Sequence, residues 1–397
     1  MKKLGFVIPW YGEHIPGGAE MELRGLTGHL HQAGVELEIL TTCVKEFSAD
    51  WNVDYYKSGL EHIQGIPVRR FPITPQDRTR FTQINAKFMN RLPVTLEEED
   101  IFLEEMVNSE ALYAYMEEHQ EEYGLFVFIP YMFGTTYYGS RICPEKTVLI
   151  PCFHREGYAY MQRFRQVFSN VAGMIFNAKP ELELAEELYD LTNVATINLG
   201  IGLDTDISGN EAQFRIKYHI DEPYIIYAGR KDQGKNVDTL IRYFHRYKNT
   251  HERNLKLVLI GGGELTVPDG IKADVKDLGF VPNQDKYDAC SGALLLCQPS
   301  KNESFSLVIM ESWLCERPIL VHNQCDVTKN FVKEANGGLY FDNYYEFEGC
   351  LEYMIMHPKI ADTMGANGRG YVLKNFTWEV ILKRCIDFFE QVAGKHK

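Results

Sequence analysis

The sequence predicts an α/β protein made of two doubly wound domains, each with a parallel sheet between helices. Short apolar runs of strand length alternate with helical patterns along most of the chain, which is typical of parallel sheets wrapped by helices. The chain has 397 residues, and at about 150 residues per domain this length fits two sizeable domains. Each half also begins with its own strand–glycine–helix unit. These observations together predict the fold class.

The first half begins with an apolar run at residues 4–9, followed by Gly17, Gly18 and a helical pattern that ends near Gly34. Later strand-like runs are predicted at 37–41, 125–129, 148–150, 173–176 and 194–198. The pattern breaks down between Thr42 and Asp100, and a helical period returns over 100–122. We therefore expect a regular sheet with one irregular insertion.

The second half restarts after a polar stretch at 204–222, which we interpret as the linker. The predicted strands are 224–228, 255–261, 293–297, 319–321 and 338–341. The predicted helices include 235–247, 306–314 and 377–392.

Composition excludes several classes of protein. The 41 Lys and Arg residues against 55 Asp and Glu residues give a formal net charge of −14, so overall charge argues against nucleic-acid binding. The N-terminus reads as a strand and not as a signal peptide, and the longest uncharged stretch is interrupted by Pro and Gly. The nine cysteines form no Cys-x-x-Cys motif, so we expect reduced thiols in a cytoplasmic protein.

The richest candidate site follows the predicted strand at 293–297. Glu303 and Glu311 are eight residues apart, which would rotate them by about 80° on one helix, so they should have different roles. Glu303 is expected in the loop before the helix and Glu311 about two turns into it. The first-turn N–H groups between them would form an anion site. The simpler alternative is a glutamate complementing the helix dipole and a second one on a solvated face.

A second candidate site follows the strand at 224–228. Gly229 lets the chain turn, Arg230 offers a planar fork of donors, and Lys235 offers a compact charge. Such a pair suits a diphosphate, although surface cations on a loop are an alternative. Ligands of open α/β sheets bind at the carboxyl ends of strands, so the two segments are expected to share one cleft.

The two segments resemble the paired signatures of glycosyltransferase family 4. The matching residues are Gly229-Arg230-x4-Lys235 and Pro299-Ser300-x2-Glu303-x7-Glu311. Weaker similarities at 17–20, 260–263, 337–340 and 376–378 extend the resemblance over most of the chain. The resemblance implies a GT-B fold, in which two Rossmann-like domains face each other across a cleft. It divides the chain into an acceptor-side domain (1–203), a nucleotide-sugar domain (204–375) and a C-terminal helix that returns to the first domain (376–397).

The resemblance also implies roles for individual residues. Arg230 and Lys235 would bind the donor diphosphate, Glu303 the donor sugar and Glu311 the ribose. His154 would lie near the donor sugar and the acceptor, although a lone histidine is as often structural. Of these residues, Glu303, Arg230, Lys235 and His154 are assigned to catalysis. The implied nucleotide-sugar-binding residues are Gly17, Gly18, Gly229, Gly262, Val281, Ser304, Phe305, Ser306, Leu307 and Glu311.

Some positions depart from the family pattern. Ser306 stands where glycine is usual, Arg317 precedes Pro318, and 323–326 replaces a glycine-rich turn, so the sugar pocket is expected to differ in shape. Asp204-x-Asp206 resembles a metal signature of another fold, but it lies in the predicted linker and we expect no metal. The glycines at 261–263 lack a Gly-x-Gly-x-x-Gly pattern, which argues against a dehydrogenase.

The predicted function is transfer of a hexose from a nucleoside diphosphate sugar (UDP- or GDP-hexose) to a hydroxyl of a glycan, glycolipid or small molecule, without a metal or a cofactor. Retention at the anomeric carbon is what the resemblance implies. A GT-B epimerase or phosphorylase and a catalytically silent binding subunit stay open. The aromatic and arginine residues of 154–168, with arginines of 69–91, suggest either peripheral docking at the inner membrane face or a partly buried helix, and we favour the second. The sequence leaves the oligomeric state open.

Overall fold

The computed structural model describes residues 2–394. The chain folds into two compact units. The first unit holds residues 2–202 together with 378–394, and the second holds Leu203–Thr377. The last three residues of the predicted C-terminal segment, 395–397, lie outside the described residues.

The first unit is built on an eight-stranded sheet with the order β3-β4-β2-β1-β5-β6-β7-β8. Its strands and helices, in chain order, are β1 (Lys3–Ile8), α1 (Gly18–Gln32), β2 (Leu37–Thr42), β3 (Gly59–Ile63), β4 (Ile66–Phe71), α2 (Arg78–Met89), α3 (Leu96–Glu104), α4 (Glu110–His119), β5 (Tyr123–Phe128), α5 (Gly134–Gly139), β6 (Thr147–Leu149), α6 (Gln162–Phe168), β7 (Gly173–Phe176), α7 (Lys179–Leu188) and β8 (Ala195–Asn198). All neighbouring strands are parallel except β3 and β4, which form an antiparallel hairpin. The central strands β1, β2 and β5 are buried along nearly their whole length, as expected of strands covered on both faces.

The second unit is built on a six-stranded, all-parallel sheet with the order β11-β10-β9-β12-β13-β14. Its elements are α8 (Glu211–Tyr218), β9 (Tyr224–Ala228), α9 (Val237–Thr250), β10 (Lys256–Ile260), β11 (Val275–Asp277), α10 (Asn283–Gly292), β12 (Leu296–Gln298), α11 (Leu307–Leu314), β13 (Ile319–His322), α12 (Asp326–Ala335), β14 (Gly338–Phe341), α13 (Tyr344–Met356) and α14 (Pro358–Asn375). Counted within the unit, the strand order is 3-2-1-4-5-6, so the winding reverses between β9 and β12.

The last helix, α15 (Trp378–Gly394), belongs to the first unit. Trp378 stacks on His29 of α1, with ring centroids 3.9 Å apart. Phe389 packs edge-on against Phe6 of β1 at 6.4 Å. A side chain at Gly202 would clash with α15, since a Cβ there would lie 2.2 Å from the Trp378 ring. The predicted fold class, with two doubly wound domains and a returning C-terminal helix, is confirmed.

The structure differs from the sequence prediction in three places. The irregular segment between Thr42 and Asp100 holds the β3–β4 hairpin and helices α2 and α3. The predicted linker contains α8, which packs on α10, and all of it belongs to the second unit. The single helical pattern predicted over 100–122 is divided between α3 and α4, because Ser109 accepts a hydrogen bond from Leu112 N–H and starts a new helix.

All nine cysteines are free thiols. Across residues 2–394, no helix combines the length and the apolar character that crossing a bilayer requires.

Candidate active site

The candidate site of the second unit lies where its strand order reverses. The loop after β9 holds Gly229, Arg230 and Lys235, and the loop after β12 holds Glu303. Because β9 and β12 are parallel neighbours, their carboxyl ends meet at one edge of the sheet. This is the position at which open α/β sheets bind ligands.

Direct contacts join these two loops. Lys235 Nζ lies 2.7 Å from Glu303 Oε1, and the Glu303 side chain is only 9% exposed. Asn236, which has a φ of +56°, donates from Nδ2 to the Pro299 carbonyl at 2.9 Å. A mostly buried carboxylate and its ammonium partner are thus held across the point where the winding reverses.

Arg230 lies on the same loop but is held loosely. Its side chain is 72% exposed, and Nε lies 3.4 Å from Asp232 Oδ2. An exposed pair of this kind contributes little to stability, so the guanidinium can exchange Asp232 for an anionic ligand at small cost. The same Asp232 accepts a hydrogen bond from Lys235 N–H at 3.0 Å and so shapes the loop.

Helix α11 begins at Leu307 without a side-chain cap. Ser306 occupies the N-cap position with a φ of +75°, in the left-handed region that suits glycine, and its buried Oγ has no hydrogen-bond partner. A serine normally caps a helix from the extended region, so this backbone conformation leaves the first-turn N–H groups uncapped. Such groups attract anions. Phe305 is buried between Phe331 and Phe376 and anchors the loop.

Glu311 lies just over one turn into α11, not the two turns expected, because the helix begins four residues after Glu303. Its carboxylate accepts a hydrogen bond from Lys286 Nζ at 2.6 Å and a longer one from Tyr287 OH at 3.4 Å. The residue is 9% exposed. The alternative of a solvated helix face is therefore wrong for Glu311.

Glycines allow the loops after β9 and β10 to approach closely. Gly261 has a φ of +120°, and a Cβ there would lie 2.0 Å from the Gly229 carbonyl oxygen. Gly229 itself has a φ of +150°. At Gly262, a Cβ would lie 2.4 Å from the ring of Phe280. Phe280 is 83% exposed, and Val281 beside it is half-buried.

Gly261→Ala is expected to destabilise the second unit by about 2–4 kcal/mol, because it adds left-handed strain and a clash with backbone. Urea unfolding would measure the change. Gly349→Ala in α13 is the matched control: a Cβ there meets nothing within 4 Å. That control should be neutral or stabilising by about 0.5–1 kcal/mol. Equal stability of the two variants would contradict the close approach of the loops.

Three predicted residues belong to the first unit. Gly17 has a φ of +141° and precedes α1; a Cβ there would lie 1.9 Å from a Glu20 carboxylate oxygen. A Cβ on Gly18 would meet nothing within 4 Å, so no protein atom requires glycine there. His154 Nε2 lies 3.1 Å from Glu156 Oε2, and Tyr131 OH donates to the other oxygen of Glu156 at 2.9 Å. The structure thus holds His154 against a carboxylate, and its predicted role in catalysis stays a prediction.

Sequence reasoning missed a group of buried acids in the first unit. Glu22 of α1 accepts a hydrogen bond from Asn177 Nδ2 at 2.9 Å, and Glu181 of α7 accepts from the N–H groups of Phe153 and Asn177, each at 2.6 Å. Burial raises the pKa of Glu22 to about 8 and the pKa of Glu181 to about 8. No local motif marks these residues, since helices, strands and loops distant in sequence bury them.

The first unit is expected to lose stability as the pH rises from 5 to 8.5. A free glutamate has a pKa of about 4.3, so through most of this window Glu22 and Glu181 are deprotonated in the unfolded chain but still largely protonated in the folded chain. Each step up in pH therefore favours the unfolded chain, until the folded-state pKa is passed. The effect should be on the order of a few kcal/mol. Glu22→Gln should flatten the pH dependence of the urea midpoint. Glu183→Gln, an exposed glutamate on α7 paired with Lys179, is the control. Parallel pH curves for wild type and Glu22→Gln would contradict the raised pKa.

The residues of the predicted aromatic rim are mostly core. Phe164, Phe168 and Met161 are buried, and Tyr158 is 9% exposed, as the favoured alternative predicted. Arginines of this region pair with carboxylates, including Arg69 with Glu38, Arg70 with Glu61, Arg80 with Glu105 and Arg163 with Asp100.

No cluster of three or more His, Cys, Asp or Glu side chains suited to a metal ion occurs within residues 2–394.

Most of the second unit matches a known protein family. Residues 210–371 match the model for glycosyl transferases group 1. D-inositol 3-phosphate glycosyltransferase of Mycobacterium sp. (strain JLS) is 28% identical over 173 residues, which cover 39% of this chain and 38% of that protein. Alpha-D-kanosaminyltransferase of Streptomyces kanamyceticus is 24% identical over 174 residues, covering 41% and 45%. The chain thus spans less than half the length of these curated relatives.

Solved structures match the whole chain. Sucrose-phosphate synthase from Thermosynechococcus elongatus superposes with a TM-score of 0.71 at 17% identity, covering 100% of both chains. Anabaena HepE, solved with UDP and glucose, gives a TM-score of 0.68 at 15% identity, covering 98% of this chain and 100% of HepE. At these identities the likeness concerns the fold. Residues 210–371 therefore match the glycosyl transferases group 1 family, and the whole chain has the GT-B fold.

Proposed function

We propose that this protein transfers a hexose from a nucleoside diphosphate sugar to an acceptor hydroxyl, with retention at the anomeric carbon and without a metal ion. The observation that carries the proposal is the contact between Lys235 and Glu303 at the carboxyl ends of β9 and β12. It joins a cation suited to a phosphate with a carboxylate suited to sugar hydroxyls, at the place where this sheet type binds ligands.

The chemical problem in such a reaction is the charge that develops on the departing diphosphate. Breaking the bond between the anomeric carbon and the phosphate oxygen leaves negative charge on that oxygen, while the sugar becomes cation-like. Arg230, Lys235 and the uncapped first turn of α11 supply donors for that charge. The acceptor oxygen forms the new bond to the anomeric carbon, and its proton passes to the leaving phosphate oxygen.

The remaining roles follow the same geometry. Glu303 would hold hydroxyls of the transferred sugar, and Glu311 would hold the ribose. Phe280 and Val281 would border the base; the exposed Phe280 ring offers an apolar face for it. HepE was solved with UDP and glucose, which supports a UDP-hexose as the first donor to test. A glycan, a glycolipid or a small molecule would supply the acceptor hydroxyl.

The first test is binding of nucleotides. UDP, GDP, UDP-glucose and GDP-mannose would each be added to the full chain, with and without EDTA, and unfolding followed by fluorescence. A true ligand at a hundredfold excess over its dissociation constant should stabilise the chain by about 2.7 kcal/mol. If none of these nucleotides stabilises the chain, the proposal fails.

The second test identifies the reaction. The bound sugar nucleotide would be incubated with candidate acceptors, and proton NMR would report the anomeric configuration of the product. Transfer with the donor's configuration is expected. Conversion of the donor without an acceptor would indicate an epimerase instead, and an inverted product would contradict retention.

A further inference from the structure

A buried lysine in the second unit has no part in the functions assigned above. The side chain of Lys231 is 2% exposed, although it follows the exposed Arg230 directly. Its Nζ lies 2.5 Å from Asp277 Oδ1, at the end of β11. Removing an ammonium group from water is costly unless a carboxylate compensates it, so this pairing has to be maintained for the loop to keep its conformation.

The ion pair crosses over an intervening strand. In the sheet, β10 lies between β9 and β11, so the lysine and its partner stand at strand ends about 10 Å apart. The glycines after β10 make room for this crossing. A Cβ on Gly263 would lie 2.6 Å from the Lys231 carbonyl oxygen and 3.1 Å from the Lys231 Cβ. The buried position of Lys231 therefore requires glycine at residue 263.

Main-chain hydrogen bonds join the same three loops. Lys231 N–H donates to the Gly262 carbonyl at 2.7 Å, and Gly261 N–H donates to the Gly279 carbonyl at 2.7 Å. Asp277 Oδ1 also accepts from Gly279 N–H at 3.0 Å. Gly279 has a φ of +63° and turns the chain into Phe280. One carboxylate oxygen thus fixes both the lysine and the turn that presents Phe280.

Only the lysine of this pair is buried, since the Asp277 side chain is 37% exposed. An ion pair of this kind is weak evidence for stability, because apolar residues of similar volume often do as well as a buried charge and its partner. What a charge pair adds is a defined direction and separation between the groups that carry it. Here those groups are the loop of Arg230 and Lys235 on one side and the loop of Phe280 and Val281 on the other.

We propose that Lys231 is a positioning residue for nucleotide binding: through Asp277 it fixes the distance between the loop that meets the diphosphate and the loop that meets the base. This role rests on the proposed function. The two loops then act on one ligand as linked sites, so each part of the nucleotide raises the effective concentration of the other. Loss of the pair should weaken that linkage and leave each separate contact in place.

The test compares a whole nucleotide with its parts. Calorimetry on the full chain would measure binding of UDP or GDP, whichever the wild type binds, and of inorganic pyrophosphate and the matching nucleoside. The variants are Lys231→Met and the double variant Lys231→Met/Asp277→Asn, in which no unpaired buried charge remains. We expect the double variant to bind the nucleoside diphosphate at least tenfold more weakly, while pyrophosphate and nucleoside affinities change less than threefold.

Lys256→Met is the matched control. Lys256 is 12% exposed and pairs with Glu222 and Asp274 at the opposite end of the sheet, so its loss should affect stability without a selective effect on the nucleotide. Unchanged nucleotide affinity in the double variant would overturn the positioning role, and so would an equal loss for all three ligands. If the wild type itself binds neither UDP nor GDP, the proposed function fails and the positioning role fails with it.

Discussion

Lys235→Ala is expected to lower kcat/KM for transfer by about 10²–10³-fold, or about 3–4 kcal/mol of transition-state stabilisation. The ammonium group of Lys235 faces Glu303, whose side chain is 9% exposed. A bound diphosphate would share that ammonium group and draw more from it as charge develops in the transition state. The substitution removes this donor and leaves a mostly buried carboxylate without its cation. Initial rates at several donor concentrations would measure the loss.

Two further variants make this result specific. Arg230→Ala should lose activity on the same scale, because its guanidinium is the other cation of the loop. Lys272→Ala removes an exposed lysine that pairs with Asp269 three residues away, and it should keep full activity. Circular dichroism would verify that all three variants fold. Full turnover in Lys235→Ala and Arg230→Ala would refute the assignment of these two cations to the donor diphosphate.

Glu303→Ala should also reduce transfer severely, by about 10²-fold or more. The substitution removes the carboxylate assigned to the donor sugar, and it leaves Lys235 without the carboxylate that it contacts. The effect should fall on transfer more than on binding of UDP, since Glu303 is assigned to the sugar. Glu334→Ala, which removes a surface partner of Tyr371, is the matched control. Unchanged transfer kinetics in Glu303→Ala would show that the sugar contact is misassigned.

The pair Lys235 and Glu303 can also be tested together. Residues in direct contact rarely contribute independently, so the double variant should lose less activity than the product of the two single losses. Additive losses would indicate that each side chain meets the donor without help from the other.

The sequence was a good guide to the candidate site because local chemistry encodes its parts. Strand β9 is an apolar run followed directly by Gly229, and α11 follows a proline-containing turn, so strand ends and helix starts could be placed within one or two residues. The rule that parallel strands present their carboxyl ends at one edge then brought Lys235 and Glu303 to the same region.

Features that depend on distant parts of the chain could not be predicted in this way. Asp277 ends the three-residue strand β11, and its partner Lys231 lies more than forty residues earlier. The sequence around either residue therefore gives no sign of the ion pair. Glu22 and Glu181 have the ordinary appearance of helical glutamates until the fold buries them. The β3–β4 hairpin pairs a strand that is mostly exposed, which carries little hydrophobic signal.

The position of α15 in the chain determines when the first unit can complete its packing during synthesis. Its aromatic side chains complete the packing of the first unit, yet a ribosome adds them after the whole second unit. At about 5–20 residues per second, the interval between Gly202 and the end of α15 is about 10–40 s. During translation the surface of α1 and β1 that faces α15 therefore stays uncovered until α15 has left the ribosome, and nascent-chain proteolysis should find it protected only in chains that already present α15.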